Sequence, residues 1–152
     1  MGIALMFHIA SVIIWVGGMF FAYSILRPVA ADQLEPPQRL KLWVAIFNRF
    51  FPLVWASIIT LLGTGYWIIL TVMGGFSNLP NHVNIMNTLG IVMILIFLHV
   101  FFAPFKRLKQ AVIDENWPVG ADSLAQIRIL VGINMTIGLI TAAVAAGGKY
   151  LF

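Results

Sequence analysis

Long hydrophobic stretches separated by short polar connections dominate this sequence. Four stretches, residues 2–26, 51–73, 84–104 and 127–146, are long enough to cross about 30 Å of hydrocarbon as helices of about 20 residues. No acidic residue falls within them, and the mean hydropathy of the chain is +0.99. The pattern predicts an all-α integral membrane protein, a four-helix bundle in which residues 1–152 form a single domain.

Small and polar residues recur at steps of three and four along three of the predicted helices, which predicts the faces turned toward the bundle interior. Close packing of membrane helices uses such residues, and a flat cofactor between helices would need the same small side chains. The first stretch lacks a basic leader and a small-residue cleavage site, so we expect a retained helix rather than a signal peptide. The stripes comprise His8, Ser11, Trp15, Gly18 and Ala22; Ser57, Thr60 and Thr64; and Asn134, Gly138, Thr141, Ala145 and Gly148.

The charged residues are confined almost entirely to the first and third connections. By the positive-inside rule these connections are cytoplasmic, and both termini lie outside. Because the basic residues follow topology rather than one face, no nucleic-acid partner is expected. All five acids also fall in these connections, which argues against a carboxylate relay in the membrane. The basic residues are Arg27, Arg39, Lys41 and Arg49 in the first connection and Lys106, Arg107, Lys109 and Arg128 in the third.

Two amphipathic stretches flank the predicted spans. Residues 39–50 interleave basic and apolar side chains and are predicted to lie in the membrane interface before the second span. Residues 105–113 have the same character and are predicted to continue the third helix beyond the bilayer.

Three histidines are the candidate functional residues, because an imidazole in hydrocarbon is costly unless it has a partner. At a rise of about 1.5 Å per residue, His8 lies about 9 Å into the membrane and His82 lies at the outer mouth of the third helix, so these two side chains are predicted to converge. His99 is about 26 Å further along the same helix as His82. A single metal ion therefore cannot bind both His82 and His99.

The chain has no cysteine, so a metal would be held by nitrogen, thioether sulfur or oxygen. Met1, Met6 and Met86 are candidate thioether ligands near His8 and His82, and Met19 is a candidate at the depth of His99. Imidazole with thioether suits copper, whereas paired imidazoles suit copper or the iron of haem b. We identify no catalytic residues, and these residue types leave the choice between copper and haem b open.

Several short motifs resemble the CopD (copper resistance D) family, in its short stand-alone four-helix branch. The similarity extends over nearly the whole chain. The motifs are His8-Ile9-Ala10, Trp15-Val16-Gly17-Gly18-Met19-Phe20-Phe21-Ala22, Leu26-Arg27-Pro28, Leu34-Glu35-Pro36-Pro37-Gln38-Arg39-Leu40, Arg49-Phe50-Phe51-Pro52, Thr64-Gly65, His82-Val83, His99-Val100, Phe102-Ala103-Pro104, Gln126-Ile127-Arg128, Leu130-Val131-Gly132 and Asn134.

This resemblance implies copper handling in the bacterial inner membrane, beside a periplasmic copper carrier. Both termini would then be periplasmic. A weaker similarity extends to the HemJ-type membrane oxidases, which also open with a histidine before tryptophan and glycine. The spacing of His82 and His99 departs from their pattern, so no oxidase activity is carried over to this chain.

Three functional interpretations follow from the sequence. In the first, an inner-membrane protein binds copper through His8 and His82 and contributes to copper uptake or tolerance. In the second, a membrane cytochrome uses His8 with His82 or His99 as axial ligands of haem b and passes electrons to a redox partner. In the third, the chain is a small subunit of a larger membrane complex. The sequence does not indicate an oligomeric state.

Overall fold

The structure, a computed structural model, describes residues 1–151 apart from the side chains of Asn78, Lys149 and Leu151, and each regular element in this part of the chain is helical. Four helical segments are long and apolar enough to cross a membrane, which confirms the predicted all-α, four-span architecture. The helices are α1 (Gly2–Phe21), α2 (Arg27–Gln33), α3 (Pro36–Thr71), α4 (Asn81–Phe102), α5 (Pro104–Ile113) and α6 (Trp117–Leu151), with a π-helical turn at Ala22–Leu26 and a 3-10 turn at Phe76–Asn78.

The helices pack as antiparallel neighbours. Helix α1 lies against α3, α4 lies against α6, and α1 also contacts α6. Contacts from His8 to Thr64 and from Gly18 to Phe50 show that α1 and α3 run in opposite directions. The starts of α1 and α4 and the ends of α3 and α6 therefore share one end of the bundle, which we call the N-terminal end. The first and third connections, which hold most of the charged residues, lie at the opposite end of the bundle.

Two prolines explain where the helices change geometry. Pro28 has no N–H for the carbonyl four residues earlier, and its ring would clash with that carbonyl. The chain widens into the π-helical turn just before it, where the N–H of Arg27 bonds to the carbonyl of Ala22. Ala103 precedes Pro104 and has φ −115° and ψ −86°, outside the helical region, because proline disfavours a helical residue before it. The regular α-helical hydrogen bonding of the first and third spans is thus interrupted at these two points.

The amphipathic stretch at residues 39–50 differs from its prediction. It is not a separate interfacial segment, because it forms the first turns of the continuous helix α3. Its apolar side chains Leu40, Trp43 and Phe47 are buried in the core, and Leu40 contacts the start of α6 at Gly120. Packing on a neighbouring helix buries this apolar face more completely than a headgroup layer can, which explains the difference. The stretch at 105–113 forms a separate helix, α5, that packs on α6.

A cluster of aromatic side chains lies in the core of the bundle. Phe51 of α3 stacks on Phe47 with ring centroids 4.9 Å apart, and it meets Phe97 of α4 at 5.4 Å and Phe105 of α5 at 4.8 Å in edge-to-face geometry. Trp15 of α1 joins this cluster through Phe97. One residue thus connects three helices. The large apolar side chains on the outer surface are exposed in the isolated chain, as a lipid-facing surface requires.

Glycine at position 138 permits a close approach of α1, α4 and α6. A Cβ atom there would lie 2.9 Å from Val16 Cγ2 and 3.0 Å from Met93 Cε. Overpacking of this kind costs about 1–3 kcal/mol. We therefore expect Gly138→Ala to lower the free energy of unfolding in mixed detergent micelles, by up to that amount because the higher helix propensity of alanine offsets part of the packing cost.

The matched control is Gly63→Ala on the exposed face of α3, where a Cβ would meet nothing within 4 Å. Alanine is favoured over glycine in a helix by up to about 1 kcal/mol, so this variant should be equally stable or slightly more stable. Equal losses of stability in the two variants would contradict the packing that the structure shows at Gly138.

Candidate functional site

His8 is half-buried on α1 and its side chain faces α3. Its Nδ1 atom lies 2.8 Å from Thr64 Oγ1, and Thr64 Oγ1 lies 2.6 Å from the carbonyl oxygen of Thr60. A hydroxyl has one hydrogen, and that of Thr64 is donated to Thr60. Thr64 therefore accepts its second bond from the Nδ1–H of His8. In a neutral imidazole this arrangement leaves the lone pair on Nε2, the form that binds a metal ion.

Gly65 provides the space in which the imidazole of His8 packs against α3. A Cβ atom at position 65 would lie 3.3 Å from His8 Cε1, which is tighter than ordinary van der Waals contact. The ring thus packs directly against the backbone of α3. The predicted polar stripe of the second span supplies the hydrogen-bond partners, and the neighbouring glycine supplies the space.

His82 occupies the second position of α4, at the N-terminal end of the bundle, and is half-buried. Its Cβ atom lies 2.5 Å from the position that a Cβ would take on Gly148 of α6. Met86, also half-buried, follows one turn later on the same face of the helix, since residues four apart are neighbours on a helix surface. The α4–α6 side of the bundle therefore carries an imidazole and a thioether next to each other.

The two histidines lie at similar depth. Val16 and Met93 both contact position 138 of α6, which places these two residues at one level. His8 precedes Val16 by eight residues and His82 precedes Met93 by eleven. The difference of three residues corresponds to about 4.5 Å along the bundle axis. The structure thus brings His8 and His82 to the same end of the bundle, with His8 turned toward α3 and His82 toward α6.

The other predicted ligands occupy different environments. Met1 and Met6 are 65% and 70% exposed near the start of α1. His99 is exposed near the end of α4, which is continuous from His82, so the predicted separation of about 26 Å between them is retained. Met19 is buried and lines an internal cavity, whereas His99 faces outward.

That internal cavity, about 210 Å³ in volume, is a feature that sequence reasoning missed. It lies between α1, α3, α4 and α6, and apolar side chains and Asn134 form its walls. Asn134 is 3% exposed, and its Nδ2 atom donates to the carbonyl of Met93 at 3.3 Å. Its Oδ1 atom is buried and has no partner among the described residues. The only sequence signal for this cavity was the position of Asn134 in the polar stripe of the last helix.

A flat cofactor would need a slot at the glycines of the first and second spans. Gly18 is instead covered by the ring of Phe50, and Gly65 by the ring of His8. Gly17 and Gly63 are exposed, and a Cβ on either would meet nothing within 4 Å. Gly18 also lines the cavity of about 210 Å³ between the spans, and no histidine lies in the wall of that cavity.

The donor set restricts the metals that this chain suits. In the part of the chain that the structure describes, no three His, Asp or Glu side chains come together as a metal-ligand group. The acids that a hard cation prefers are confined to the connections. Imidazole and thioether groups are the donors within the spans, and this combination suits a soft ion such as Cu(I).

Comparison with known families gives a match. The family model described as CopD, copper resistance protein D, matches residues 44–147, which is more than half of the chain. His82 and His99 lie within the matched residues, and His8 precedes them. No curated protein and no solved structure matched the chain significantly. With its four membrane-spanning helices and this match, the chain belongs to the copper resistance protein D (CopD) family of multi-pass membrane proteins.

Proposed function

We propose that this protein binds copper at the N-terminal end of the bundle, through Nε2 of His8 with His82 as the second imidazole, and that it contributes to copper uptake or tolerance. The observation that carries the proposal is the hydrogen-bond chain from His8 Nδ1 through Thr64 to the carbonyl of Thr60. It orients the imidazole and leaves Nε2 as the donor atom. A hydrogen bond to the second ring nitrogen is a common feature of metal-binding histidines.

His82 and Met86 supply further soft donors at a similar depth. His8 and His82 differ in level by only about 4.5 Å, but their side chains face α3 and α6, so a shared copper ion requires these side chains to turn toward each other. His82 lies at the mouth of the bundle, so it would meet an incoming ion first, and His8 lies deeper. Copper is then the cargo that these residues bind, rather than a resident cofactor.

The charge distribution supports a direction for this site. The first and third connections, at the end opposite His8 and His82, hold most of the basic residues. By the positive-inside rule that end is cytoplasmic, and the histidines face the periplasm of a bacterial inner membrane. A periplasmic copper carrier is then the source of the ion.

Haem b would use the same imidazoles as axial ligands, so the two interpretations differ in the space that they need. The space at Gly18 and Gly65 is filled by aromatic and imidazole rings. The internal cavity between the four spans has no histidine in its wall. A copper ion needs far less space between the helices than a porphyrin does, and copper is therefore favoured.

The direct test is the metal content and visible spectrum of the protein purified in detergent, followed by anaerobic Cu(I) titration against a competing chelator. We expect one tightly bound copper per chain and no Soret band. His82→Ala should weaken Cu(I) binding at least about tenfold, because one ligand is lost.

The matched control is His99→Ala, which removes the same side chain from an exposed position about 26 Å away along α4 and should leave the affinity unchanged. A Soret band with stoichiometric iron would show that the protein binds haem b instead of copper. Equal losses in His82→Ala and His99→Ala would contradict a site at the N-terminal end. A protein that binds neither copper nor haem would favour a structural subunit.

A further inference from the structure

A second cavity, at the end of the bundle opposite His8, brings together three arginines from three different helices. Arg27 of α2, Arg39 of α3 and Arg128 of α6 line this cavity of about 260 Å³, which we call the arginine pocket. No acidic side chain is among its lining residues. Three positive charges at the wall of one cavity repel one another, so an anion bound there would lower the energy of the arrangement.

Arg27 is held in place before any ligand arrives. The π-helical turn carries Tyr23, whose ring packs against Gly132 of α6, where an added Cβ would lie 2.9 Å from Tyr23 Cε2. The Arg27 guanidinium carbon lies 4.6 Å from the centroid of that ring, and Arg27 Nε donates to the carbonyl of Tyr23 at 3.2 Å. Its two terminal amino groups remain as donors for a phosphate, which arginine binds in bidentate geometry.

The rest of the pocket wall is mostly apolar. Trp43 and Phe47 of α3 and Val131 of α6 line it together with Leu40. A small hydrophilic anion would gain nothing from these surfaces. A molecule with a charged headgroup and a hydrocarbon chain satisfies both parts of the wall.

We propose that the arginine pocket binds an anionic phospholipid, with the phosphate of the headgroup held by the three arginines and an acyl chain along the half-buried Leu124 and Val131. Basic pockets between helices on the cytoplasmic side are suited to such headgroups. The positive-inside rule requires only that basic residues lie in the first and third connections. It does not require three of them to line one cavity, nor one of them to be fixed by a tyrosine.

The experiment uses the full chain in detergent, with thermal unfolding and native mass spectrometry as readouts. The probes are short-chain phosphatidylglycerol, phosphatidylcholine with the same acyl chains, and inorganic phosphate. Phosphatidylglycerol should raise the Tm and remain bound in the spectrum, whereas the other two probes should do neither. A response to inorganic phosphate equal to that of phosphatidylglycerol would overturn the assignment to a lipid, and an equal response to phosphatidylcholine would overturn the role of charge.

The test variant is Arg39→Gln with Arg128→Gln, which leaves the tyrosine-bound Arg27 intact. Its affinity for phosphatidylglycerol should fall about 30-fold, from roughly 1 kcal/mol per basic residue near a membrane surface. The control, Lys106→Gln with Lys109→Gln, removes two charges from α5, outside the pocket, and should bind normally. Equal losses in both double variants would overturn the proposal.

Arg128→Gln alone keeps the test decisive if the double variant does not fold, because Arg128 is exposed. It should lower the affinity about fivefold. An unchanged affinity in this folded variant would contradict the proposal. Copper binding at the other end should be the same in all of these variants, so failure here is distinguishable from failure of the copper proposal.

Discussion

Replacing His8 with alanine should lower the affinity of the protein for Cu(I) by at least about 100-fold, which corresponds to about 2.7 kcal/mol. The variant removes the Nε2 donor that the Thr64 hydrogen bond orients, and the exposed Met1 and Met6 cannot replace a ligand held against α3. The measurement is anaerobic Cu(I) titration with a competing chelator. Retention of full affinity would eliminate His8 as a ligand.

A second substitution separates the ligand from its support. Thr64→Val keeps the shape of the side chain and removes the oxygen that accepts from His8 Nδ1. Loss of such a supporting bond typically weakens metal binding 10-fold to 100-fold, so the effect should be smaller than that of His8→Ala. We therefore predict that His8→Ala weakens Cu(I) binding more than Thr64→Val does.

Thr71→Val is the matched control, because Thr71 is an exposed threonine of the same helix whose hydroxyl donates to the carbonyl of Trp67. It should leave Cu(I) affinity unchanged. An equal loss in Thr64→Val and Thr71→Val would show that threonine in α3 matters only for folding. Normal affinity in Thr64→Val would contradict the proposed orientation of the His8 ring.

Replacing Phe51 with alanine should be the most destabilising single change in the core. Phe51 is 3% exposed and contacts aromatic rings from α3, α4 and α5, so its loss opens a cavity where three helices meet. Phenylalanine-to-alanine changes in cores cost about 3–5 kcal/mol. In a membrane the transfer part of this cost is small because lipid is as apolar as the core, so we expect a loss of about 3 kcal/mol.

The measurement is reversible unfolding in mixed micelles, with Phe20→Ala as the control. Phe20 is 46% exposed on α1 and belongs to the outer surface. Its replacement should change the free energy of unfolding by less than about 0.5 kcal/mol. Similar losses for the two variants would mean that the aromatic cluster does not hold the helices together.

The two ends of the bundle have different chemistry, and this separates the proposed functions. Soft imidazole and thioether donors lie at the N-terminal end, and guanidinium groups lie at the opposite end. Between them lies the cavity with the buried Oδ1 of Asn134 and the buried thioether of Met19. The polar positions are thus distributed along the length of the bundle rather than gathered in one centre.

Several properties could be read from the sequence alone. The number of spans followed because a helix must satisfy every backbone hydrogen bond within the hydrocarbon, which makes span length a local property of the chain. The separation of His82 from His99 followed from the helical rise. The resemblance to the CopD family, carried by motifs such as Thr64-Gly65 and His82-Val83, is confirmed by the family match over residues 44–147.

Other properties were decided only by the tertiary structure. These include the turn of His8 toward Thr64 and of His82 toward Gly148, the filling of the space at Gly18 by Phe50, and the placement of three arginines from the first and third connections at one cavity. Hydropathy does not reveal the rotation of a helix in a bilayer, because lipid and protein interior are equally apolar. Rotation depends instead on which side chains of neighbouring helices fit together, and that information is spread over the whole chain.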